Sequence, residues 1–281
     1  MGASSDDLET LRGWIDGYDR IVVGAGAGLS AAAGMVYGGE RFRANFPDFI
    51  AKYHYGDMYT ASFQKYASPE EHWAYWSRHI MLNRYMFEDN GTYADLLSLV
   101  KGKDYFVVTS NVDHCFQRTG FDKSRLFYMQ GDYGLWQCSV PCHRSTYDNE
   151  AAVRQMCARQ RDMMIPTELV PHCPRCGAPM TMNLRVDGRF VEDEGWHTAR
   201  ERYIDFLEGS LDRDVLFLEL GVGYNTPGII KYPFWSMASD NQRSRYACIS
   251  LGAARFPVSL EGRAVGLDAD IREVLHTLAH P

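Results

Sequence analysis

The sequence has no apolar run that approaches the roughly 18 residues a membrane-spanning helix needs, so we expect no membrane partner. It has no excess of positive charge, because 29 lysines and arginines stand against 36 aspartates and glutamates, and no nucleic-acid partner is expected. No apolar stretch follows residues 1–7 as it would in a secretory signal, and we therefore expect a cytoplasmic location.

Internal repeats and low-complexity tracts are also missing from the 281 residues, a length that suits one large domain or one domain with an insertion. A hydrophobic fraction of 46% with 23% charged residues is typical of a folded soluble protein. In a reducing compartment, the seven cysteines are expected to be metal ligands or buried thiols rather than disulfides.

Short apolar runs alternate with helical patterns along most of the chain. Buried strands are predicted at residues 20–23, 105–109, 126–129, 215–220 and 246–251. Helices are predicted at residues 8–15, from Pro69 onward, at 150–164 and at 268–278, and residues 36–67 are predicted to form a long ordered loop with short helical pieces. This alternation predicts an α/β fold with a Rossmann-like, doubly wound parallel sheet.

Residues 132–200 interrupt the alternation, with few strand signals and four of the cysteines. We therefore predict a nucleotide-binding domain made of residues 1–131 and 201–281, with an inserted zinc-binding module at 132–200.

The first predicted strand runs into a glycine-rich turn at residues 24–30. Glycines let the backbone turn tightly and approach a phosphate, and Ser30 could either add a hydroxyl to that phosphate or cap the following helix. A tight strand-to-helix turn needs glycine in any case, so the signal is weak alone. No acidic residue follows a second strand about 20 residues on, which disfavours a dehydrogenase.

Polar side chains also follow the later strands. Ser110, Asn111 and Asp113 come after the second strand, and Gln130 follows the third. Ligands of open α/β sheets bind beyond the carboxyl ends of the strands, although Ser110 or Asn111 could simply cap a helix.

Four cysteines form two closely spaced pairs separated by residues 143–172. They are Cys138, Cys142, Cys173 and Cys176. Two such pairs predict a structural, tetrahedral Zn²⁺ site, in which His143 or His172 could replace one cysteine. Cys115, Cys157 and Cys248 are predicted to be buried thiols.

Taken together, the loops resemble those of the sirtuin family. The turn at 24–28 is similar to the sirtuin Gly-Ala-Gly opening, and 109–113 resembles the family's Thr-Gln-Asn-Ile-Asp. Residues 221–227 stand where sirtuins carry Gly-x-Gly-Thr-Ser, 250–251 match a strand end that contacts adenosine, and 266–269 resemble the C-terminal Gly-Asp-Ala.

Two departures narrow the resemblance to class M, the macrodomain-linked sirtuins. Gln130 stands where sirtuins have histidine, and residues 37–42 replace the family's Pro-Asp-Phe-Arg. The resemblance implies an NAD-dependent transferase that mono-ADP-ribosylates an acceptor protein, a lipoyl carrier in that branch, with a macrodomain hydrolase as functional partner. It also implies catalytic roles for Asn111, Gln130 and Arg185, with Asp113 beside them.

The resemblance further implies which residues bind NAD. These are Gly24, Ala25, Gly26, Gly28, Ser30, Arg41, Phe42, Ser110, Gly221, Gly223, Asn225, Thr226, Ser250, Leu251, Asp268 and Ala269. Phe42 is expected to cover the nicotinamide pocket, with Phe49 as the alternative, unless both only pack a core.

A glutamine side chain has no proton that titrates near neutrality, so Gln130 cannot act as the general base that histidine provides in sirtuin deacylation. Direct transfer of ADP-ribose to a nucleophile needs no base at that position. A deacylase that uses water or His114 as the base, an NAD hydrolase and a non-enzymatic NAD or ADP-ribose sensor remain alternatives.

Overall fold

The computed structural model describes residues 4–225 and 227–281, and the chain forms two compact units. The first unit contains residues up to 34, 89–130 and 194–281, whereas the second contains residues 35–88 and 131–193. The second unit contains most of the predicted insertion, 132–200, together with residues 35–88, whereas residues 194–200 lie in the first unit. The physical reason lies in packing, since the helix at Pro69–Ile80 rests on the helix at Glu150–Arg159.

The strands of the described residues are β1 (Arg20–Ala25), β2 (Asp104–Thr109), β3 (Leu126–Tyr128), β4 (Gly131–Cys138), β5 (Tyr147–Asp148), β6 (Met180–Leu184), β7 (Val215–Leu220), β8 (Arg245–Ile249) and β9 (Ala264–Leu267). The α-helices are α1 (Ser5–Gly17), α2 (Ala27–Ala32), α3 (Gly39–Asn45), α4 (Pro47–Tyr53), α5 (Met58–Ser62), α6 (Pro69–Ile80), α7 (Thr92–Val100), α8 (Cys115–Thr119), α9 (Glu150–Arg159), α10 (Glu194–Glu208), α11 (Lys231–Asp240) and α12 (Ile271–Ala279).

The first unit is built on a six-stranded, fully parallel sheet in the order β3-β2-β1-β7-β8-β9. The central strands β1 and β7 are almost entirely buried, as expected where helices cover both faces of a parallel sheet. The order reverses between β1 and β7, and this arrangement confirms the predicted Rossmann-like, doubly wound fold.

The helix boundaries follow local capping. Ser68 accepts a hydrogen bond from the Glu71 amide at 3.2 Å and begins α6, as predicted. The last helix begins later than predicted, because Asp270 and not Asp268 caps it. Asp268 instead accepts a hydrogen bond from the amide of Gly252 at 2.7 Å. The predicted helix at 150–164 ends at Arg159.

The second unit contains a small antiparallel sheet in the order β5-β4-β6, which the sequence pattern did not predict. The predicted ordered loop at 36–67 contains α3, α4 and α5, which agrees with the expectation of short helical pieces. Aromatic rings pack between these helices and α6, with Phe46 and Tyr75 5.1 Å apart at their centroids.

Within residues 4–225 and 227–281, every helix is too short or too polar to cross a lipid bilayer.

A buried ion pair stands at the centre of the first unit. Glu219 on β7 and Lys231 on α11 are both fully buried, and the ammonium group of Lys231 donates to the Glu219 carboxylate. The hydroxyl of Tyr246 donates to the other carboxylate oxygen at 2.7 Å. With these partners, the hydrogen-bonding needs of the buried carboxylate are met. Removal of its counter-charge would leave an unpaired buried charge, which destabilises the folded state.

Replacing Lys231 with methionine should therefore lower the free energy of unfolding by about 3–5 kcal/mol, because Glu219 would lose its counter-charge. The double variant Glu219→Gln/Lys231→Met removes both charges and should recover most of that loss. Urea unfolding followed by tryptophan fluorescence measures both. Lys123→Met, at an exposed lysine, is the control and should stay within about 0.5 kcal/mol of the wild type. A Lys231→Met protein as stable as the wild type would contradict the prediction.

Candidate functional site

All six parallel strands end in one row. Ala25, the last residue of β1, pairs with Thr109 on one side and with Leu220 on the other. Leu220 in turn pairs with Ile249, and Ile249 with Leu267. The loops predicted to bind a nucleotide therefore leave the sheet side by side, at the edge where ligands of such sheets bind.

The glycine turn lies directly against the end of β7. The amide of Gly26 donates to the carbonyl of Leu220 at 2.9 Å, and the amide of Gly28 donates to the carbonyl of Gly221 at 2.9 Å. A Cβ atom on Gly28 would come within 2.7 Å of the Gly221 Cα, and Gly221 itself has a φ of +63°. Close contact between two backbones thus requires these glycines, a requirement separate from any phosphate.

Asn111 is held by its amide group at the mouth of this turn. Its side-chain nitrogen donates to the carbonyl of Gly26 at 2.9 Å, and its backbone amide donates to the Thr109 hydroxyl at 3.0 Å. Ser110 is half-buried beside it, and its backbone amide donates to the carbonyl of Ala25 at 3.1 Å. Asn111 is 8% exposed, so the structure places a fixed amide at the strand-end row.

Asp113 organises a buried chain of hydroxyl groups. The Ser30 hydroxyl donates to the Asp113 carboxylate at 2.5 Å, and the Tyr93 hydroxyl lies 3.1 Å from the Ser30 oxygen. Since serine has a single proton and gives it to Asp113, Tyr93 must be the donor to Ser30. Burial and the negative charge of Asp113 raise the pKa of Tyr93 well above its usual value, which keeps the phenol protonated. Ser30 thus does not cap α2, because Gly26 holds the cap position.

Sequence reasoning missed Tyr93. It lies on α7, where an aromatic residue in an amphipathic helix carries no signal beyond core packing. Only the fold shows that its hydroxyl reaches the residues after β1 and β2.

Two other groups after β2 stand close to Asp113. His114 occupies the N-cap position of α8 with a φ of 68°, a left-handed conformation that is uncommon for a histidine. Cys115 is buried, and burial together with the Asp113 charge raises the pKa of its thiol. A thiol held protonated in this way is a poor nucleophile.

The ends of β8 and β9 bring together four residues predicted to bind NAD, of which Ser250 and Leu251 were matched to the adenosine contact. The amide of Ser250 donates to the carbonyl of Leu267 at 3.1 Å, and Asp268 is tied to Gly252 as described above. Ser250 and Ala269 are buried, whereas Leu251 is 68% exposed and free of core packing.

The loop after β7 is open to solvent. Gly223 and Asn225 are exposed, and a Cβ atom on Gly223 would meet nothing within 4 Å. Thr226, also predicted to bind NAD, lies outside the described residues. Lys231 lies 5.1 Å from the ring centroid of Tyr224, so the buried ion pair reaches this loop through a cation–π contact.

The second unit carries Arg41, Phe42 and Phe49. Arg41 is half-buried and donates to the side chain of Asn83 at 2.8 Å and to the carbonyl of Leu82 at 2.9 Å. Phe42 is 1% exposed and Phe49 is 0% exposed, so both pack in the aromatic core of this unit. That Phe42 or Phe49 covers a nicotinamide pocket stays a prediction.

Arg185 also lies in the second unit, just beyond β6. Its guanidinium donates to the Glu192 carboxylate at 2.5 Å and lies 4.4 Å above the ring centroid of Phe190. Neither partner was identified from the sequence, because each lies on a return segment whose course only the fold defines. Arg185 is therefore oriented by charge and by stacking.

Gln130 is the last residue of the first unit and is half-buried. The next residue, Gly131, has a φ of +98°, and a Cβ atom there would come within 1.9 Å of the Asn183 carbonyl oxygen. The backbone immediately after Gln130 is thus fixed by packing. Asp132, which follows, accepts a hydrogen bond from Arg84 at 2.8 Å and is occupied by that contact.

The four predicted zinc ligands converge in the second unit. All four Sγ atoms lie within 4.8 Å of one another, with Cys138 and Cys176 3.6 Å apart and Cys142 and Cys173 3.7 Å apart. Zinc–sulfur bonds of about 2.3 Å in a tetrahedron place neighbouring sulfurs about 3.8 Å apart. The cysteine positions therefore fit a structural Zn²⁺ ion.

Neither neighbouring histidine takes a ligand position in this cluster. His143 places Nδ1 2.9 Å from the Cys142 sulfur and Nε2 2.7 Å from the Tyr147 hydroxyl, the arrangement of an outer hydrogen-bonding partner. His172 contacts the Val170 carbonyl at 2.9 Å instead.

Replacing Cys173 with serine should abolish zinc retention and destabilise the fold, because a structural site contributes its binding energy to folding. Metal analysis of the purified protein and thermal unfolding followed by circular dichroism check this result. Cys157→Ser, at a half-buried cysteine outside the cluster, should keep one zinc per chain. A zinc-free Cys173→Ser protein of wild-type stability would show that no structural metal is needed.

Comparison with known proteins identifies the family. No protein-family model matches the chain. A protein ADP-ribosyltransferase from Staphylococcus aureus (strain Mu50 / ATCC 700699) is 44% identical over 279 residues, which covers 99% of this chain and 88% of that protein. A probable bifunctional ADP-ribose hydrolase/ADP-ribosyltransferase from Fusarium oxysporum f. sp. cubense is 31% identical over 80% of this chain, but only 39% of that protein is covered.

The fold likeness is independent of these sequences. A Sir2 homologue in complex with NAD superposes with a TM-score of 0.62 at 17% identity, over 99% of this chain and 94% of that one. This match identifies the fold, and the staphylococcal relative identifies the family. The chain therefore has the Sir2 fold and belongs to the family of the staphylococcal protein ADP-ribosyltransferase.

Proposed function

We propose that this chain is an NAD-dependent protein mono-ADP-ribosyltransferase, which releases nicotinamide and transfers ADP-ribose to an acceptor protein. The observation that carries the proposal is the 44% identity, over nearly the whole of both chains, with a protein named for that activity. The row of strand-end loops in the first unit supports it, because an NAD molecule needs such an edge to bind.

In the proposed reaction, the bond between the anomeric carbon of NAD and the nicotinamide nitrogen breaks, and its electron pair leaves with nicotinamide. The ribose carbon becomes oxocarbenium-like and electron-poor. A nucleophile of the acceptor protein then forms the new bond to that carbon, and its proton is lost to solvent or to a nearby base. Positioning and electrostatic stabilisation are the main contributions that such a step requires.

Asn111 is the residue we assign to the ribose. Its amide nitrogen is already occupied by the Gly26 carbonyl, which leaves its carbonyl oxygen oriented by that bond and suited to contact the electron-poor sugar. Asp113 acts through Ser30, whose hydroxyl it fixes, and its buried negative charge favours positive charge developing nearby.

In this proposal, Gln130 explains why the chain transfers ADP-ribose rather than removing acyl groups. Deacylation needs a proton removed from a ribose hydroxyl after nicotinamide leaves, and an amide cannot do this near neutral pH. The amide can still orient a ribose hydroxyl or the incoming nucleophile by hydrogen bonding.

Arg185 is the fourth residue we assign to catalysis, after Asn111, Asp113 and Gln130. Its guanidinium suits the diphosphate of NAD or an anionic acceptor, and Glu192 and Phe190 hold it in one orientation. We also propose that the residues that the family resemblance implies for NAD binding, of which Gly24 is the first and Ala269 the last, contact NAD. We further propose that the chain is divided into an NAD-binding domain and a zinc module.

We further propose that the acceptor is a lipoyl-carrier protein, that the reaction takes place in the cytoplasm, and that a macrodomain-type hydrolase reverses it. The last of these is supported by the Fusarium relative, whose name combines ADP-ribose hydrolase and ADP-ribosyltransferase.

Incubation with NAD and lipoylated carrier should release nicotinamide and add one ADP-ribosyl mass to the carrier, as measured by mass spectrometry of both products. Free ADP-ribose without any labelled protein would indicate a hydrolase, acyl-ADP-ribose from an acyl-lysine peptide would indicate a deacylase, and unchanged NAD would indicate a sensor. Labelling of a different protein in a lysate, with the carrier untouched, would refute the carrier assignment alone.

In the same assay, Asn111→Ala should abolish nicotinamide release, because the amide beside the sugar is lost. The control is Asn45→Ala, since Asn45 also donates its side-chain amide to one backbone carbonyl, that of Arg41 at 2.8 Å, and should keep wild-type release. Circular dichroism verifies that both variants are folded. An active Asn111→Ala enzyme would remove this residue from the mechanism.

Gln130→His should introduce deacylation of an acyl-lysine peptide, at a rate about 10²–10⁴ above that of the wild type, because imidazole supplies the missing base. Release of acyl-ADP-ribose, followed by mass spectrometry, is the measurement. Gln117→His, on α8, places a histidine elsewhere and should produce none. If Gln130→His is equally inactive, peptide access rather than the missing base separates this chain from the deacylases.

A further inference from the structure

Three side chains of the kinds that can ligate a metal lie together in the first unit, away from the strand-end loops and from the four cysteines. Asp95 on α7, His276 on α12 and His280 just after α12 bring one carboxylate and two imidazoles together. The two histidines are four residues apart, so a helical course sets both rings on one face, and their centroids lie 4.5 Å apart.

Both rings are directed at the same carboxylate. His276 places Nδ1 3.1 Å from one oxygen of Asp95, and His280 places Nε2 3.0 Å from the other. All three donor groups lie within 4.8 Å of one another. In a zinc site with bonds of about 2.0–2.2 Å, neighbouring nitrogen and oxygen ligands stand about 3–3.5 Å apart. The nitrogen–oxygen distances already have that size.

The surroundings favour a cation. A cleft of about 460 Å³ opens beside His276, and its walls carry the carboxylates of Asp95, Asp270 and Glu273 against a single guanidinium, that of Arg272. The Asp95 side chain is 16% exposed, whereas the histidine rings are 66% and 59% exposed. Solvent can therefore complete the coordination of an ion held by three protein ligands.

We propose that Asp95, His276 and His280 form a metal site for a late first-row divalent cation such as Zn²⁺, which ties α12 to α7. Two imidazoles and one carboxylate are ligands that zinc accepts, and hard cations such as Mg²⁺ prefer all-oxygen sites. Each ring coordinates through the nitrogen that faces Asp95 and carries its proton on the other nitrogen.

The same geometry gives the site a structural consequence. α12 packs against α7, α2 and α1, and it directly follows the residues at 268–269 that we assign to NAD binding. A metal bound at the C-terminal end of α12 adds a link between its last turn and α7, beside the hydrogen bond that Arg12 donates to the Thr277 carbonyl. Ligand binding of this kind stabilises the folded state by an amount that grows with the logarithm of the free metal concentration above the Kd.

The test uses the full chain with its four-cysteine site already filled, as verified by one zinc per chain in metal analysis. Isothermal titration with ZnCl₂ should show one further Zn²⁺ bound per chain, and MgCl₂ should show none. His276→Asn and His280→Asn should each lower the affinity for the additional zinc at least about tenfold, because loss of even a hydrogen-bonding partner of a metal ligand lowers metal affinity by that factor. The melting temperature of the wild type should rise with added Zn²⁺, and that of the two variants should not.

His54→Asn is the matched control. His54 is exposed, lies outside the cluster and has a φ of 57°, a conformation that asparagine tolerates well. It should bind the further zinc as the wild type does. Asp95→Asn removes the shared carboxylate without changing its shape and should also weaken binding. The proposal is refuted if the wild type takes up no zinc beyond the first, if both histidine variants bind as tightly as the wild type, or if Mg²⁺ binds equally well.

Discussion

Direct contact between two backbones holds the first unit in the form that function requires. Gly26 and Gly28 donate their amides to the last residue of β7 and to the one after it, and there is no room for a Cβ atom on either side. A methyl group at Gly26, Gly28 or Gly221 would push the ends of the two central strands apart. The loops after β1 and β7 can lie against each other because these three positions lack side chains.

Around that contact, buried polar groups satisfy one another in short hydrogen-bonded chains. The Asp113 carboxylate accepts a hydrogen bond from Ser30, whose oxygen accepts one from Tyr93. The Glu219 carboxylate accepts hydrogen bonds from Lys231 and Tyr246. The first chain joins the loop after β2 to α2 and α7, and the second joins β7 and β8 to α11. In a low-dielectric interior such links are costly to break, so they hold the polar residues at the strand ends in fixed positions. The two carboxylates are held in fixed orientations by the hydroxyl and ammonium groups that donate to them.

The sequence alone was sufficient for the parts of the molecule that local patterns determine. The parallel sheet follows from apolar runs that end in glycine, and the sulfur cluster follows from the close spacing within each cysteine pair. Residues that meet through the fold could not be predicted in this way. The Tyr93 hydroxyl, the Glu192 partner of Arg185, and the approach of Asp95 to two histidines more than 180 positions away have no local signal. The small sheet of the second unit was missed because β5 has only two residues and β4 is interrupted by a bulge.

Lys231 shows how complete the burial of a charged group is in this chain. Its amine has no exposed surface and is already committed to a carboxylate. Reagents that modify lysine, and proteases that cut after it, reach this side chain only when α11 separates from the sheet. Among the lysines of the described residues, it is thus a built-in reporter of opening at the centre of the fold, against a background of surface amines that react at once.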